Sequence, residues 1–396
     1  MSPSRSVGLS LLVPLALLAA ACSKPAAPGP EAAAAGGKLK AGFVYVGPVG
    51  DYGWSNAHDQ GRRAVEAKFP WLKSVIVESV PEADSARIID RLVNESKCDI
   101  VFTTSFGYMD ATVAAGRKHP NTKFMHCSGF KREPNVGTYF AELYQMYYLN
   151  GLMAGALTKS GKTGYVAAHP IPEVVRHVNA FALGVAEANP KATVSVKWLY
   201  SWYDPAKAKE AAESLISEGC DSLAFTEDSP AVIQAAEEAM KKGRQVTAFS
   251  HYSPMQKFGE NATVSGQLVD WGIMYEAILK AVHDGTWDNR DWFWLSREKA
   301  AILGGAFGQP VNPRFEAPLK AAVLSSPGLG KVSAYDLVMK RLAQMSDAKV
   351  SFEPFTGPIR DQKGEVRVPP GRRMTPAELL SFDWFVDNVR GAIPKT

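Results

Sequence analysis

Tryptophan side chains follow two of the apolar, strand-like segments of this 396-residue sequence. A glycine-rich loop presents Trp54 just before a helical segment, and Trp202 follows a later strand. Paired aromatic rings suit a flat ring-shaped ligand, because each stack of a base on an aromatic side chain is worth about 1–3 kcal/mol. Two stacks and a few hydrogen bonds in a closed cleft would support micromolar binding, which requires roughly 8 kcal/mol. We therefore predict a site for a planar ligand.

Further aromatic and polar residues lie at other strand ends. Phe106 follows the third strand of the first half, and Glu227 and Asp228 follow the third strand of the second half. The fourth strand of the second half ends in Ser250 and His251. Ligands of open α/β sheets bind beyond the carboxyl ends of the strands, so we expect these side chains near the ligand. The two carboxyl groups are candidate acceptors for N–H groups of the ring.

The elements that position these residues occur twice. Lys40–Val44 (KAGFV) corresponds to Lys162–Val166 (KTGYV), and Cys98-Asp99 corresponds to Cys220-Asp221, each 122 residues later. Strands alternate with helices in both halves, which is typical of parallel sheets with helices on both faces. The sequence therefore predicts an α/β protein of two Rossmann-like lobes with a ligand cleft between them.

Hydrophobic patterns predict the bounds of these elements. The predicted strands are 39–46, 74–78, 99–104, 123–127, 163–168, 193–200, 221–226 and 245–250. The predicted helices are 57–68, 84–96, 108–118, 141–158, 173–188, 205–217, 230–241, 271–283 and 375–389, and a hairpin is predicted at 357–368. We assign residues 38–150 to the first lobe, to which later crossover segments return, 151–270 to the second, and 271–396 to the crossover and the completion of both lobes.

The N-terminus has the pattern of a secretory signal peptide. Arg5 precedes an apolar stretch of 15 residues, which is too short to span a bilayer. Residues 19–22 (AAAC) resemble a bacterial lipobox, which predicts a signal peptide over 1–22 and lipidation of Cys22. The alternative is ordinary cleavage near Ala21. Residues 23–37 are rich in Pro, Ala and Gly and are expected to form a flexible tether. We expect an extracytoplasmic protein held at the membrane.

Composition and spacing exclude several functions. The formal net charge of +4 is too small to indicate nucleic-acid binding. The other three cysteines are an odd number with no metal-ligand spacing, so we expect small buried side chains: Cys98, Cys127 and Cys220. Gly155 and Gly161 are one residue too far apart for a phosphate loop and precede a strand. No nucleophile motif is present, so we predict no catalytic residue, metal or cofactor.

The sequence resembles the basic membrane protein (BMP) family. The resemblance lies in 40–61, which contains GPVGDYGWSNAHDQG, in 135–155 (NVGTYFAELYQMYYLNGLMAG) and in 198–221, and it covers most of 38–310. Family members are substrate-binding lipoproteins of ABC importers with the type 1 periplasmic-binding-protein fold. They bind purine nucleosides or bases between two aromatic rings. The resemblance implies permease subunits as partners, attachment to the membrane through the lipid, and no enzymatic activity; we expect a monomer.

The family motifs assign roles to individual residues. Trp54 falls on the first stacking aromatic residue, Trp202 on the second, and Asp51 on the acidic residue of the first loop. The family's Asn after the first aromatic residue is Ser55 here, and its base-binding Asp falls near Cys127-Ser128.

The ribose-binding acid of the family is also missing, since its position falls near Ser250-His251. We therefore favour a free purine base, with adenine as the candidate, and expect Glu227 or Asp228 to replace the missing base-binding acid. A nucleoside-binding protein and a ligand-sensing lipoprotein remain alternatives. A nucleoside hydrolase is disfavoured because it would need a cluster of metal-binding acids.

Overall fold

The computed structural model of the chain describes residues 37–306, 308–326 and 328–395. The predicted signal peptide, Cys22 and the tether up to residue 36 lie outside the described residues. Among the described residues, no helix combines the length and apolar character needed to cross a membrane.

The first lobe is a parallel sheet with helices between its strands. Its elements are β1 (Leu39–Val44), α1 (Trp54–Lys68), β2 (Leu72–Val77), α2 (Ser85–Asn94), β3 (Ile100–Thr103), α3 (Met109–Lys118), β4 (Lys123–Cys127) and β5 (Val136–Ala141). Every residue of β3 and β5 is buried, as expected for strands covered by helices on both faces. The strand order is β5-β4-β3-β1-β2, and a later strand joins β5 at the edge.

The second lobe repeats this arrangement. Its elements are α4 (Tyr144–Leu157), β6 (Lys162–Ala167), α5 (Pro172–Ala188), β7 (Thr193–Trp198), α6 (Pro205–Ser217), β8 (Ser222–Thr226), α7 (Ala231–Lys241), β9 (Thr247–Tyr252) and β10 (Thr263–Val269). The strand order β10-β9-β8-β6-β7 is that of the first lobe. The predicted α/β architecture of two Rossmann-like lobes is confirmed.

The remaining elements complete both lobes. They are α8 (Trp271–His283), β11 (Asp291–Trp294), β12 (Ala301–Leu303), α9 (Pro313–Ala321), β13 (Val323–Ser326), β14 (Gly330–Ser333), α10 (Ala334–Ser346), β15 (Ile359–Arg360), β16 (Val366–Val368), α11 (Pro376–Leu380) and β17 (Val389–Arg390). In the first lobe, β11 pairs with β5 and α8 packs against α1. In the second lobe, β12 pairs with β10 and β17 pairs with β7.

The chain crosses between the lobes at three places, and hydrogen bonds join the crossings to neighbouring strands. The N–H of Glu142 donates to the carbonyl of Trp294 over 2.8 Å, and the N–H of Asp270 donates to the carbonyl of Ala300 over 3.0 Å. The first crossing precedes α4, which packs against α5 of the second lobe. β5 is therefore the last strand of the first lobe before the chain first crosses to the second lobe. This crossing comes before residue 150, where the boundary between the lobes is predicted.

Glycines let α4 and α5 pack closely. A Cβ atom on Gly151 would lie 2.1 Å from the carbonyl oxygen of Phe181, and one on Gly184 would lie 2.0 Å from that of Tyr148. Gly155, which the spacing excluded from a phosphate loop, likewise lies against Val185. These glycines serve helix packing.

The C-terminal predictions are confirmed in part. β15 and β16 form the predicted antiparallel hairpin. Thr375 and Glu378 form a capping box at the start of α11, but the predicted helix over 375–389 is wrong beyond Leu380. The chain leaves the helix because Phe385 is buried in the core and β17 extends the sheet beside β7. The prediction for the cysteines is confirmed, since all three described cysteines are unpaired and buried: Cys98, Cys127 and Cys220.

Candidate functional site

A cavity of about 290 Å³ lies between the lobes. Val46, Trp54, Thr104, Ser105, Phe106 and Ser128 line it from the first lobe, and Glu173, Trp202, Asp228 and Tyr252 line it from the second. Most of these residues stand at or just beyond the carboxyl ends of parallel strands, where open α/β sheets bind ligands.

The lobes contact each other beside this cavity. The ring of Tyr52 lies edge-on to Phe258, with centroids 4.9 Å apart, and the ammonium group of Lys257 lies 3.9 Å from the centroid of Tyr52. A Cβ atom on Gly53 would lie 2.6 Å from the Cα atom of Asp228, so only glycine allows this approach of the two backbones. The structure is thus a closed arrangement.

Trp54 is held rigidly in the cavity wall. It begins α1, is only 6% exposed, and its indole Nε1–H donates to the carbonyl of Thr104 over 2.5 Å. Its ring makes edge contacts with Tyr252 at 4.9 Å and Trp271 at 5.4 Å. Because partners fix both its plane and its polar atom, Trp54 presents a preformed aromatic surface.

Trp202 lines the cavity from the other lobe and is less constrained. It is partly exposed, lies in the loop between β7 and α6, and its ring packs against His169 with centroids 4.8 Å apart. The carbonyl of Trp202 accepts a hydrogen bond from the N–H of Asp228 over 2.8 Å. This bond joins the second aromatic residue of the cavity to its acidic residue.

Of the two predicted acids that follow β8, Asp228 lines the cavity and Glu227 does not. Asp228 is buried, and its carboxyl group lies near the backbone N–H of Trp54. Burial, together with the charges of Asp51 and Glu227, raises the pKa of Asp228 well above its ordinary value. The carboxyl of Glu227 accepts from the hydroxyl of Ser229 over 3.0 Å. Of these two acids, Asp228 is therefore the residue whose carboxyl group can contact a ligand in the cavity.

Asp51 and Ser55 build the first loop and do not line the cavity. The carboxyl group of Asp51 accepts from the N–H groups of Gly53, Ser55 and Asn56 at 2.8–3.0 Å. Burial raises its pKa to about 6 although these hydrogen bonds oppose the shift. The hydroxyl of Ser55 accepts from the N–H of Gly47 over 3.1 Å. Both side chains thus position Trp54.

Ser250 and His251 also lie outside the lining, because β9 continues beyond the predicted strand end. The hydroxyl of Ser250 accepts from the N–H of Met255 over 3.1 Å. Nδ1 of His251 lies 3.0 Å from the hydroxyl of Tyr147, and burial lowers the pKa of His251 well below its ordinary value. The residue of β9 that reaches the cavity is Tyr252, which follows them.

No pattern in the sequence indicates Glu173 as a site residue. Glu173 lies in the first turn of α5, where an acid is commonly explained by the helix dipole. Here its side chain is buried in the cavity wall and accepts a hydrogen bond from the hydroxyl of Ser128, which belongs to the other lobe. Burial raises the pKa of Glu173, although His177, Ser128 and Arg176 oppose the shift.

A buried ionic network lies one helical turn beyond Glu173. Arg176 donates to the carboxyl group of Glu142 and to the carbonyl of Leu379, and Nε2 of His177 lies 2.8 Å from Glu142. Burial alone would raise the pKa of Glu142, but the charges of Arg176 and His177 outweigh it and lower the pKa to about 2. The network ties α5 and the C-terminal segment to the first crossing between the lobes.

A second cavity of about 420 Å³ adjoins the first and shares Phe106, Ser128 and Glu173 with it. Phe130, a neighbouring residue in its lining, is 55% exposed. In the described part of the chain, His, Cys, Asp and Glu side chains form no group of three that could hold a metal ion. What the site offers is therefore aromatic faces, hydroxyl groups and carboxyl groups.

A comparison with protein-family models matches residues 38–303 to Bmp, described as an ABC transporter substrate-binding protein, PnrA-like. The chain belongs to this family. The resemblance stated from the sequence is thereby confirmed, as is the class of function, since members serve ABC transporters as binding components outside the cytoplasm. Such proteins bind a small ligand and work with permease components.

Two relatives cover most of the chain. It is 35% identical over 363 residues to a purine-binding protein of Brucella abortus, covering 90% of this chain and 95% of the relative. It is 39% identical over 277 residues to a putative ABC transporter glucose-binding protein of Haloferax volcanii, covering 70% of this chain and 69% of the relative.

Solved structures of solute-binding proteins share the fold. One from Aeropyrum pernix has a TM-score of 0.66 at 16% identity, covering 82% of this chain and 93% of its own. One from Conexibacter woesei has a TM-score of 0.59 at 18% identity, covering 80% of this chain and 99% of its own. At these identities the likeness concerns the fold alone.

Proposed function

We propose that this Bmp-family protein captures a free purine base, with adenine as the favoured ligand, and delivers it to the permease of an ABC importer. The observation that carries the proposal is the pairing of Trp54 and Trp202 from opposite lobes in one small cavity with Asp228. In this proposal the two indole rings stack on the purine and Asp228 pairs with its polar edge, while Phe106 adds apolar contact. The name of the Brucella relative supports a purine ligand.

The residues at the family's ribose-binding position favour a base over a nucleoside. A ribose diol calls for a carboxylate acceptor, but the residues at the family's ribose-binding position are Ser250 and His251, and the hydroxyl of Ser250 is already bonded to Met255. The adjoining cavity beside Phe130 is the feature that favours the nucleoside alternative, since a ribose could extend into it.

Glucose is the competing ligand that the name of the Haloferax relative suggests. Stacking of a base uses the full face of an aromatic ring, and this cavity offers indole rings from both lobes. A sugar would depend more on hydrogen bonds, for which the cavity offers Ser105, Ser128, Glu173 and Asp228. The aromatic pair makes the purine the better match.

Isothermal titration calorimetry of the purified protein with adenine, adenosine and glucose tests the proposal. We expect micromolar or tighter binding of adenine and weaker binding of the other two. Tight binding of glucose without adenine binding would contradict a purine ligand, and tighter binding of adenosine would favour the nucleoside alternative. Release of adenine on incubation with adenosine would instead indicate the hydrolase.

We also propose that the protein is a monomer anchored outside the cytoplasm through lipidated Cys22. The support for the anchor is the lipobox-like AAAC of residues 19–22 and the Pro- and Ala-rich residues that follow. Stable attachment requires two lipid signals, because a single acyl chain binds membranes only marginally. Several acyl chains on one N-terminal cysteine would meet that requirement.

A further inference from the structure

We infer that Asp228 recognises the ligand as a neutral carboxylic acid, whose O–H donates to a ring nitrogen while its carbonyl oxygen accepts from the neighbouring N–H. This inference rests on the proposed function, since it specifies how the cavity distinguishes one purine from another. It makes a proton, held by the protein, part of the recognition of the base.

The surroundings of Asp228 disfavour a negative charge. Its side chain is 2% exposed, and acidic side chains approach it from three directions: Asp51 from the first loop, Glu227 from the preceding position and Glu173 from α5. Tyr252 lines the same cavity from β9 and is neutral at ordinary pH, because burial raises the pKa of this tyrosine. A carboxylate there would be buried among like charges, which costs free energy unless a cation compensates.

Hydrogen-bond donors at the start of α1 are distributed unequally among the acids. The N–H groups of Gly53, Ser55 and Asn56 donate to Asp51, whereas Asp228 only lies near the N–H of Trp54. Asp51 thus takes most of the support that this helix N-terminus offers to an anion.

The other carboxyl group in the cavity wall has better support for its charge. Glu173 accepts from the hydroxyl of Ser128 and lies one turn from Arg176 and His177, and all three oppose the rise in pKa that burial causes. The pair of acids that line the cavity is therefore asymmetric. The proton belongs on Asp228, and Glu173 remains available as an acceptor.

The protonation state determines which purines fit. An ionised carboxylate offers acceptors only, whereas a carboxylic acid offers one donor and one acceptor side by side. The Asn side chain offers the same pair and binds adenine through N6 and N7. On that edge adenine presents an N–H donor beside a nitrogen acceptor, whereas a 6-oxopurine presents two acceptors. When the base presents this edge to the cavity, a neutral Asp228 therefore selects adenine over hypoxanthine.

Calorimetry across pH tests the inference. Wild-type protein is titrated with adenine and hypoxanthine from about pH 6 to about pH 8.5, in buffers of different ionisation enthalpy, so that protons taken up on binding are counted. Above the pKa of Asp228 in the free protein, we expect adenine binding to take up one proton and its affinity to fall up to tenfold per pH unit. This measurement needs no variant.

The Asp228→Asn variant keeps one donor and one acceptor without a titrating proton. We expect it to bind adenine within a few-fold of the wild-type affinity at about pH 6, with no dependence on pH and with the preference over hypoxanthine retained. Glu227→Gln is the matched control, since it removes the neighbouring acid that does not line the cavity. We expect a slope with pH to remain in this control. Thermal melting checks the fold of each variant.

Three results would overturn the inference. The first is release of a proton on adenine binding, or an affinity for adenine that rises with pH, because either would show that the ionised form of Asp228 binds the base. The second is a loss of affinity beyond about tenfold in folded Asp228→Asn, which would show that the carboxylate itself is the acceptor. The third is a slope that survives in Asp228→Asn but vanishes in Glu173→Gln, which would assign the proton to Glu173. If wild-type protein binds no adenine at any pH, the proposed function itself fails.

Discussion

Removal of the Trp202 ring is the most direct test of the aromatic pair. We predict that Trp202→Ala weakens adenine binding by about 1–3 kcal/mol, which is the value of one base–aromatic stack and corresponds to roughly five- to 150-fold in affinity. The other ring, Trp54, stays in place because its contacts with Thr104 and Trp271 do not involve Trp202. Binding should therefore be weakened but measurable.

The structure narrows the expected loss of binding free energy for Trp202→Ala. The ring of Trp202 packs against His169 with centroids 4.8 Å apart, so the imidazole could move into the vacated space and recover part of the contact. We therefore expect the lower half of the range for Trp202→Ala. Trp202→Phe, which keeps one aromatic ring, should lose less than the alanine variant. Such a graded order would separate stacking from a general disturbance of the loop.

Trp71→Ala is the matched control. Trp71 is also partly exposed and also packs against a histidine, His283, with centroids 4.1 Å apart. It lies beside the start of β1, at the opposite end of the sheet from the cavity, and its carbonyl accepts from the N–H of Leu39. Both variants should show similar small losses of thermal stability, but only Trp202→Ala should lose affinity. Equal adenine affinity of wild type and Trp202→Ala would refute the stacking model.

Two further predictions concern Glu142, at the first crossing between the lobes, and the lipid anchor at Cys22. The pKa of Glu142 falls from 4.5 to about 2 on folding, so the folded state gains about 3 kcal/mol above pH 4.5 and loses it as pH falls towards 2. Denaturant melts should show this loss in wild type but not in Glu142→Gln, and parallel curves would contradict it. Cys22→Ser should move the protein from the membrane fraction to the soluble fraction; unchanged membrane association would refute lipidation.

The strands next to the site could be predicted from the sequence because strands that are buried on both faces consist mostly of apolar residues. β3 and β8 are buried along their whole length and are apolar except at their ends. The residues that follow strands at their carboxyl ends must lie near the cleft. This geometry was enough to place Trp54, Trp202 and Phe106 in the cavity wall. No knowledge of side-chain direction was needed for these large rings.

Side-chain direction explains the residues that the sequence could not place. Glu227 and Asp228 are adjacent, and which of them faces the cavity depends on how the loop after β8 turns. The backbone of Ser128 has a φ of +65°, and no pattern in the sequence indicates that its hydroxyl reaches Glu173 across the lobes. Ser250 was expected at a strand end, but β9 runs on to Tyr252 and leaves Ser250 within the sheet.

The late return of the chain to the first lobe has a consequence for the order of folding. β5 ends at Ala141, but its partner β11 begins only at Asp291, after the whole of β6 to β10 has been made. A chain emerging in sequence can therefore assemble the central strands of the second lobe while β5 is still an open sheet edge and the surface of α1 that meets α8 is still bare. An open edge can pair with other chains, and closing so long a loop is slow. The first lobe to be synthesised is thus still incomplete when the central strands of the second lobe have been made.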